Sequence, residues 1–174
     1  GYIPEERNTE GIVPPFSMKE NFILKDSGDP HYASRSFLRL KEIDRNADRL
    51  REEFDIRSPD TRVAAGSLSG GNIQKVILAR ELSRAPRFLV AVYPTRGLDM
   101  GAAEFIHKRL LEKRAEGMGI LLVSEELEEV LDLSDRIAVI FKGRIIDTLD
   151  RDSADSRKLG VLMAGVKESG DEAV

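Results

Sequence analysis

Apolar residues recur along the chain at regular spacings, and these spacings predict its helices and strands. Between Ser36 and Phe54 the apolar positions come every three or four residues, the repeat of a helix that buries one face. These positions are Phe37, Leu40, Ile43, Ala47, Leu50 and Phe54. A second apolar pattern predicts a largely buried helix at Asn72–Ser83, which Pro86 stops.

A short continuous apolar run, Phe88–Val92, predicts a strand that is covered on both faces. Helices and strands then alternate, which is typical of a parallel sheet with helices on its faces, closing with a hairpin. The chain is therefore predicted to belong to the α/β class. The predicted elements are a helix capped by Asp99 and running to Ala115, a strand at Ile120–Val123, a helix at Glu126–Leu133, strands at Arg136–Phe141 and Arg144–Leu149 around Lys142-Gly143, and a helix at Ser156–Ala164.

Composition narrows the classes of function. The 174 residues, 41% of them hydrophobic, suffice for one ordinary domain, and no apolar stretch approaches the roughly 20 residues of a membrane span. The chain has no cysteine, and His31 and His107 are far apart without a ligand-spaced partner, so we expect no metal site. A net charge of −4 argues against a general nucleic-acid binder.

The glycine-rich segment Gly66–Ile73 carries the candidate chemistry. It fits the start of a P-loop, but Asn72 and Ile73 stand where Lys and Ser or Thr are needed, so we reject that reading. Alternatively, Ser69, Gly70 and Gly71 lie at the mouth of the following helix, where N–H groups and the helix dipole favour an anion. A glycine-rich helix cap without any ligand fits this segment equally well.

The segment Leu68-Ser69-Gly70-Gly71-Asn72 and the helix after it resemble the signature motif and signature helix of ABC ATPases. Gly1–Arg7 with Glu10-Gly11 resembles the Q-loop segment in the C-terminal ATPase half of importers for simple sugars and nucleosides. The other matching segments, in chain order, are Gln74-Lys75, Ala79-Arg80, Pro94–Asp99 (similar to the D-loop), Ser124–Val130 and Ser134–Val139. The resemblance covers nearly the whole chain.

This resemblance implies a partial P-loop NTPase core: a parallel sheet with an α-helical lobe, lacking the P-loop subdomain. We expect the chain to begin inside a larger protein. The implied divisions are a Q-loop-like segment at residues 1–15, a helical lobe at 16–66, the signature loop and helix at 67–85, half of a RecA-like core with the Walker B-like strand, D-loop and switch region at 86–165, and a tail at 166–174.

The chain departs from the active family pattern at the positions that perform the chemistry. Where active members have the Asp that positions Mg²⁺ and the Glu that polarises water, this chain has Val92 and Tyr93, which can neither hold a hard cation nor act as a carboxylate base. Glu125 stands at the switch histidine and Glu5 at the Q-loop glutamine. The resemblance therefore implies a degenerate half without catalytic residues, and we expect neither ATP nor Mg²⁺ on the isolated chain.

In this family two nucleotide-binding domains pair head to tail, so that each ATP lies between one P-loop and the partner's signature loop. The resemblance assigns Ser69, Gly70, Gly71 and Asn72 to contacts with ATP in such a shared site, which also holds Mg²⁺. Asp99 would help to couple the two sites, and it also fits a simple helix cap.

The implied partners are a second nucleotide-binding domain, transmembrane permease subunits and, indirectly, an extracytoplasmic substrate-binding protein. They imply a position at the cytoplasmic face of the membrane and ATP hydrolysis coupled to import of a simple sugar or a nucleoside. The absence of the Asp and the Glu before Pro94 favours the nucleoside importers over the simple-sugar importers. Two alternatives stay open: an ABC ATPase acting on DNA or ribosomes, which the absence of a basic stripe disfavours, and a non-enzymatic α/β interaction module.

Overall fold

A computed structural model of the protein describes residues 1–35 and 37–166, and these fall into two compact units, the first at Gly1–Val123 and the second beginning at Ser124. The first unit contains β1 (Tyr2–Ile3), α1 (Met18–Phe22), β2 (Ala33–Ser34), β3 (Phe37–Leu38), α2 (Leu40–Glu53), α3 (Gly70–Ser83), β4 (Phe88–Val92), α4 (Met100–Ala115) and β5 (Gly119–Val123). The second unit contains α5 (Leu127–Leu133), β6 (Arg136–Phe141), β7 (Arg144–Asp150) and α6 (Ser156–Met163). No helix of the described part of the chain is long and apolar enough to cross a membrane.

The first unit is built on a parallel sheet with the order β1-β4-β5. Helix α4 makes the crossover from β4 to β5 that a parallel pair requires. Ile3, Leu89 and Ala91 are fully buried on the face of the sheet that α3 covers. The predicted α/β class is confirmed, and the strand at Phe88–Val92 has the predicted bounds.

The opposite face of this sheet is open, so the prediction that β4 is covered on both sides is wrong. Phe88 is 52% exposed and Leu121 is 51% exposed. The register sets Tyr2, Val90 and Leu121 side by side, on the face away from the buried Leu89. A continuous apolar run shows that a strand contains no polar residues, but it does not show that both of its faces are covered. In this sheet only one face is packed.

The sequence pattern also placed Arg136–Phe141 in the parallel sheet, and this prediction is wrong. Strand β6 pairs antiparallel with β7 in a separate two-stranded sheet, as the predicted hairpin requires. Lys142 and Gly143 both have positive φ, 47° and 79°, which is the backbone of a tight hairpin turn. The core of the second unit lies against this hairpin and consists of Ile137, Val139, Leu149, Ala154, Leu159 and Leu162.

Helix α2 begins at Leu40, four residues later than the predicted start at Ser36, which itself lies outside the described residues. Phe37 and Leu38 instead pair with β2 across a turn in which Arg35 has φ 56°. Phe37 is consequently 79% exposed and Leu40 61% exposed, so their predicted core positions are wrong. The remaining predicted core positions of this helix are buried: Ile43, Ala47, Leu50 and Phe54.

Helix α3 is buried on all sides, since each of the ten residues Ile73–Leu82 is buried. It begins at Gly70, two residues before the predicted start, because Ser69 provides the cap. Arg84 ends the helix, and Ala85 follows with φ 46°. The other predicted bounds differ from the observed ones by at most two residues. Of the predicted tail 166–174, residues 167–174 lie outside the described residues.

We predict that Ala85→Gly stabilises the chain. An L-residue at positive φ brings its Cβ close to the backbone, and glycine after a helix end removes that conflict. The free energy of unfolding should rise by roughly 0.5–1 kcal/mol, measured by urea unfolding. The control Ala103→Gly inside α4 should lower it by about 1 kcal/mol. No rise for Ala85→Gly alongside the expected fall for the control would contradict the prediction.

Candidate functional site

The signature loop, residues 68–72, ends in a capped helix N-terminus. Ser69 has extended backbone angles, and its Oγ accepts a hydrogen bond from the backbone N–H of Asn72 at 3.4 Å. The Asn72 side-chain amide also donates to this oxygen at 3.0 Å. Ser69 and Gly70 are both exposed, so the start of a buried helix opens to solvent at this loop.

Asn72 ties the signature loop to the segment that follows α2. Its side-chain oxygen accepts a hydrogen bond from the backbone N–H of Arg57 at 2.9 Å. Both ends of the Asn72 amide are therefore used inside the chain. The geometry gives Asn72 a structural role at the loop, whereas its predicted contact with ATP stays a prediction.

The start of α4 packs directly against the start of α3. A Cβ built on Gly71 would lie 3.1 Å from the Cβ of Ala102, which is tighter than most such contacts. Asp99 caps α4 by accepting a hydrogen bond from the backbone N–H of Ala102 at 2.9 Å. Its other carboxylate oxygen lies 3.8 Å from the same built Cβ. The structure thus brings the predicted residues of the signature loop and Asp99 together at two adjacent helix N-termini.

These two helix starts make the local electrostatics positive. Each presents unpaired N–H groups and the positive end of its dipole, equivalent to roughly half an elementary charge. The Asp99 carboxylate lies between them and offsets part of that potential. An exposed site of this kind favours an anion, with the N–H groups of Gly70 and Gly71 and the Ser69 hydroxyl as available donors.

Glu5 and Tyr93, which stand at two of the positions that we predict to be degenerate, are connected through Arg96. The Arg96 guanidinium forms an ion pair with the Glu5 carboxylate at 2.5 Å, and its central carbon lies 5.5 Å from the centre of the Tyr93 ring. Tyr93 has φ 46° and holds the loop through backbone bonds to Val123 and Arg96. Val92 is half-buried at the end of β4, and Glu125 is exposed in the second unit.

A magnesium ion does not fit the residues at these predicted positions. Mg²⁺ requires oxygen ligands, and the Val92 side chain supplies none. The Glu5 carboxylate already binds a guanidinium. Within residues 1–35 and 37–166, no three His, Cys, Asp or Glu side chains are grouped as metal ligands.

Arg7 also borders the signature loop, and sequence reasoning did not select it. Its Nη2 donates to the backbone carbonyl of Arg96 at 2.5 Å, and its Nη1 lies 3.5 Å from a Cβ built on Gly70. Arg7 lies in a polar, turn-rich opening without any periodic pattern, and its partner is 89 residues away. No local signal in the sequence points to this contact.

Ion pairs made by two of its buried residues hold the signature helix in place. Lys75 is buried and donates to the backbone carbonyl and the carboxylate of Asp55 at 2.8 and 3.0 Å. The hydrogen bond and the positive charge of Lys75 lower the pKa of Asp55. Lys75 also lies over the Phe105 ring, 4.4 Å from its centre. These contacts hold the helix near the signature loop, in addition to the packing of its buried side chains.

Glu81 fastens the same helix near its other end. Its buried carboxylate accepts hydrogen bonds from Lys25 at 2.7 Å, from Arg80 at 3.0 Å and from the backbone N–H of Tyr2 at 3.1 Å. Burial raises the pKa of Glu81, but the three hydrogen bonds and the charge of Arg80 outweigh burial and lower it below the ordinary 4.5. Glu81 therefore stabilises the fold in its charged form.

We predict that Glu81→Gln destabilises the chain in a pH-dependent way. A lowered folded-state pKa means that the Glu81 contribution is fully present above about pH 4.5 and is lost as the pH falls through the lower folded value. At pH 7 the substitution should lower the free energy of unfolding by roughly 2 kcal/mol, because Lys25 and Arg80 lose a buried partner charge. Urea unfolding from pH 7 to pH 3 measures the difference.

The exposed Glu104→Gln serves as the control and should change stability by less than about 0.5 kcal/mol across this range. A deficit of Glu81→Gln that is the same at pH 7 and pH 3 would contradict the charged role of Glu81.

Comparison with known proteins finds relatives that are ATP-binding proteins of importers. No family model matches the chain. The chain is 46% identical over 172 residues to the guanosine import ATP-binding protein NupO of Bacillus subtilis, covering 98% of this chain and 34% of that protein. It is 45% identical to the nucleoside import ATP-binding protein NupA of Lactococcus lactis (95% and 33%) and 43% identical to the glucose import ATP-binding protein TsgD13 of Haloferax volcanii (94% and 30%).

Solved structures share the fold. The dimeric structure of MJ0796, a bacterial ABC transporter cassette, matches with a TM-score of 0.70 at 19% identity, over 87% of this chain and 62% of that one. MJ1267, an ATP-binding cassette of an ABC transporter, matches with a TM-score of 0.68 at 22% identity, over 94% and 65%. The chain spans about a third of the length of the import proteins that it matches.

Proposed function

Because this chain belongs to the ABC ATPases, as its 46% identity to an import ATP-binding protein over nearly its whole length shows, we propose that it supplies a signature loop to ATP bound by a partner domain. The full-length protein would be the ATP-binding subunit of an importer. The observation that carries this proposal is the exposed start of α3, where Ser69, Gly70 and Gly71 lie beside Asp99.

The loop suits a terminal phosphate in both charge and shape. Gly70 and Gly71 lack side chains, so a phosphate could approach their backbone N–H groups closely. The Ser69 hydroxyl could donate to a phosphate oxygen while still accepting from Asn72. Asp99 caps α4 beside this loop and would couple a change there to the other ATP site. Because the rest of α3 is buried, the helix is held in place and these donors would point in a fixed direction.

In this proposal, the groups that donate hydrogen bonds to phosphate lie on this chain, and the residues that hydrolyse ATP lie on the partner domain. Val92 and Tyr93 supply no carboxylate, and Glu5 is paired with Arg96. Glu125 would repel a phosphate at the switch position. By itself the chain would therefore hold neither ATP nor Mg²⁺, whereas the assembled protein would hold both. One structural neighbour is a dimer of cassettes, which supports a site shared between two domains.

The transported compound is proposed from the relatives. Those named for guanosine and nucleoside import are 46% and 45% identical, compared with 43% for the glucose import protein of Haloferax volcanii and 36% for a ribose import protein of Hahella chejuensis. We therefore favour a nucleoside over a simple sugar. The remaining parts of the proposal are a permease contact through the helical lobe at residues 16–66, an indirect link to an extracytoplasmic binding protein, a location at the cytoplasmic membrane face, and no nucleic-acid partner.

We predict that Ser69→Arg abolishes ATP turnover of the full-length protein assembled with its permease. An arginine side chain would fill the space in front of the helix start and remove a phosphate donor, so turnover should fall about 100-fold or more. Phosphate release at saturating ATP measures this loss. Ser83→Arg is the matched control, because Ser83 lies exposed at the opposite end of the same helix. Turnover of Ser69→Arg within twofold of the control would favour an interaction module in which Ser69 only caps α3.

We further predict that Tyr93→Phe leaves turnover of the assembled protein within about twofold of the unmodified protein. The change removes the only polar atom at the degenerate base position and keeps the ring under Arg96. The corresponding Glu→Gln change in the competent half should lower turnover by about 100-fold or more, as loss of a catalytic base does. A comparable loss for Tyr93→Phe would mean that this half is catalytic after all.

A further inference from the structure

Glu5, Arg7 and Arg96 form a connected cluster next to the signature loop, which we name the Arg96 clasp. Arg96 pairs with the Glu5 carboxylate through its side chain and accepts a hydrogen bond from Arg7 through its backbone carbonyl, both at 2.5 Å. The side chain and the backbone of one residue are therefore each held by the segment that follows β1.

The clasp joins two loops at one edge of the sheet. Glu5 and Arg7 follow β1, and Arg96 follows β4, which is the parallel neighbour of β1. The carboxyl ends of parallel neighbours meet at the same edge. The two contacts bridge 91 and 89 residues of sequence, so they constrain loops that local structure alone would leave independent.

Arg7 extends this constraint to the signature loop. Its guanidinium lies 3.5 Å from a Cβ built on Gly70 and 3.4 Å from one built on Gly97, where φ is 66°. The Leu98 side chain lies 4.0 Å from the same Gly70 position. Half-buried Arg7 thus fills the space between the signature loop and the loop that leads to Asp99.

We propose that Arg7 is a positioning residue, which the Glu5–Arg96 pair supports, and that it sets the spacing between the signature loop and the loop that carries Asp99. A planar guanidinium suits this task because it can donate to a carbonyl at one edge and pack against backbone with its other atoms. The effect on ATP rests on the proposed function, whereas the effect on loop spacing belongs to this chain alone.

A rival account is that Arg96 acts through its charge, by attracting a phosphate directly. The two accounts differ for the charge-swapped variant Glu5→Arg/Arg96→Glu. The swap restores an ion pair but exchanges the positions of its charges. Positioning should therefore recover in the swap, whereas a direct effect of the Arg96 charge should not.

The test uses the full-length protein assembled with its permease and two readouts. The first is amide hydrogen exchange at Ile73 and Ala102, whose N–H groups bond to the Ser69 carbonyl and the Asp99 carboxylate, both at 2.9 Å. These amides report the starts of α3 and α4. The second readout is kcat and KM for ATP. The variants are Arg7→Ala, Glu5→Arg, Arg96→Glu and the double swap, with Arg62→Ala as control because Arg62 is exposed and forms an ion pair with the nearby Asp60 at 3.5 Å.

The expected result is that Arg7→Ala and each single charge reversal speed exchange at both amides by about threefold or more. In these variants kcat should fall about fivefold with KM for ATP within twofold, since an interaction realised only in the reacting complex is lost. The double swap should return exchange and kcat to within about twofold of the unmodified protein. The control should change neither readout.

Unchanged exchange in Arg7→Ala, or no recovery of exchange in the double swap, would overturn the positioning role whatever happens to turnover. Altered exchange with unchanged kcat, in a protein that Ser69→Arg still inactivates, would overturn its link to ATP hydrolysis. If Ser69→Arg also leaves turnover intact, the proposed function fails, while the exchange results still decide whether the clasp positions the loop.

Discussion

The structure of the first unit depends on the complete burial of helix α3. Ten consecutive residues of this helix are buried although four of them are polar or charged: Gln74, Lys75, Arg80 and Glu81. A buried charge is costly without a partner, so the surrounding segments must deliver partners to it. Asp55 reaches Lys75 from the end of α2, and Lys25 reaches Glu81 from the end of α1. The need to pair the buried charges of α3 therefore determines where these segments lie.

Burial of α3 also explains why the candidate site lies where it does. A helix packed on all sides can present its dipole only at its ends, and its start is the end that carries the exposed Ser69 and Gly70. The absent side chain of Gly71 lets α4 approach within contact distance, which brings a second helix start and the Asp99 carboxylate to the same place. Glycine here serves helix packing as much as it would serve a ligand.

Periodicity predicted most of the helices and strands because it records which face of an element is buried, and Ile43, Ala47 and Leu50 fall on that face as expected. It failed where pairing decides the structure. Phe37 continues the helical repeat but lies in a hairpin, and Arg136–Phe141 forms the predicted hairpin with β7 but does not join the parallel sheet. The signature loop could be selected from its glycines. Arg7 could not, since its contacts with Arg96 and Gly70 arise only after distant segments have folded together.

Glu5 and Tyr93, which stand at two of the positions that we predict to be degenerate, form one connected structure with Arg96. The exposed Glu5 carboxylate pairs with the Arg96 guanidinium from within the same chain. Tyr93 lies beneath that guanidinium, where an aromatic face stabilises a cation by about 0.5–1 kcal/mol at an exposed site. A Glu at this position would instead compete with Glu5 for Arg96. Glu5, Tyr93 and Arg96 are therefore compatible with one another, and replacing Glu5 or Tyr93 alone would remove one of the two contacts that the Arg96 guanidinium makes.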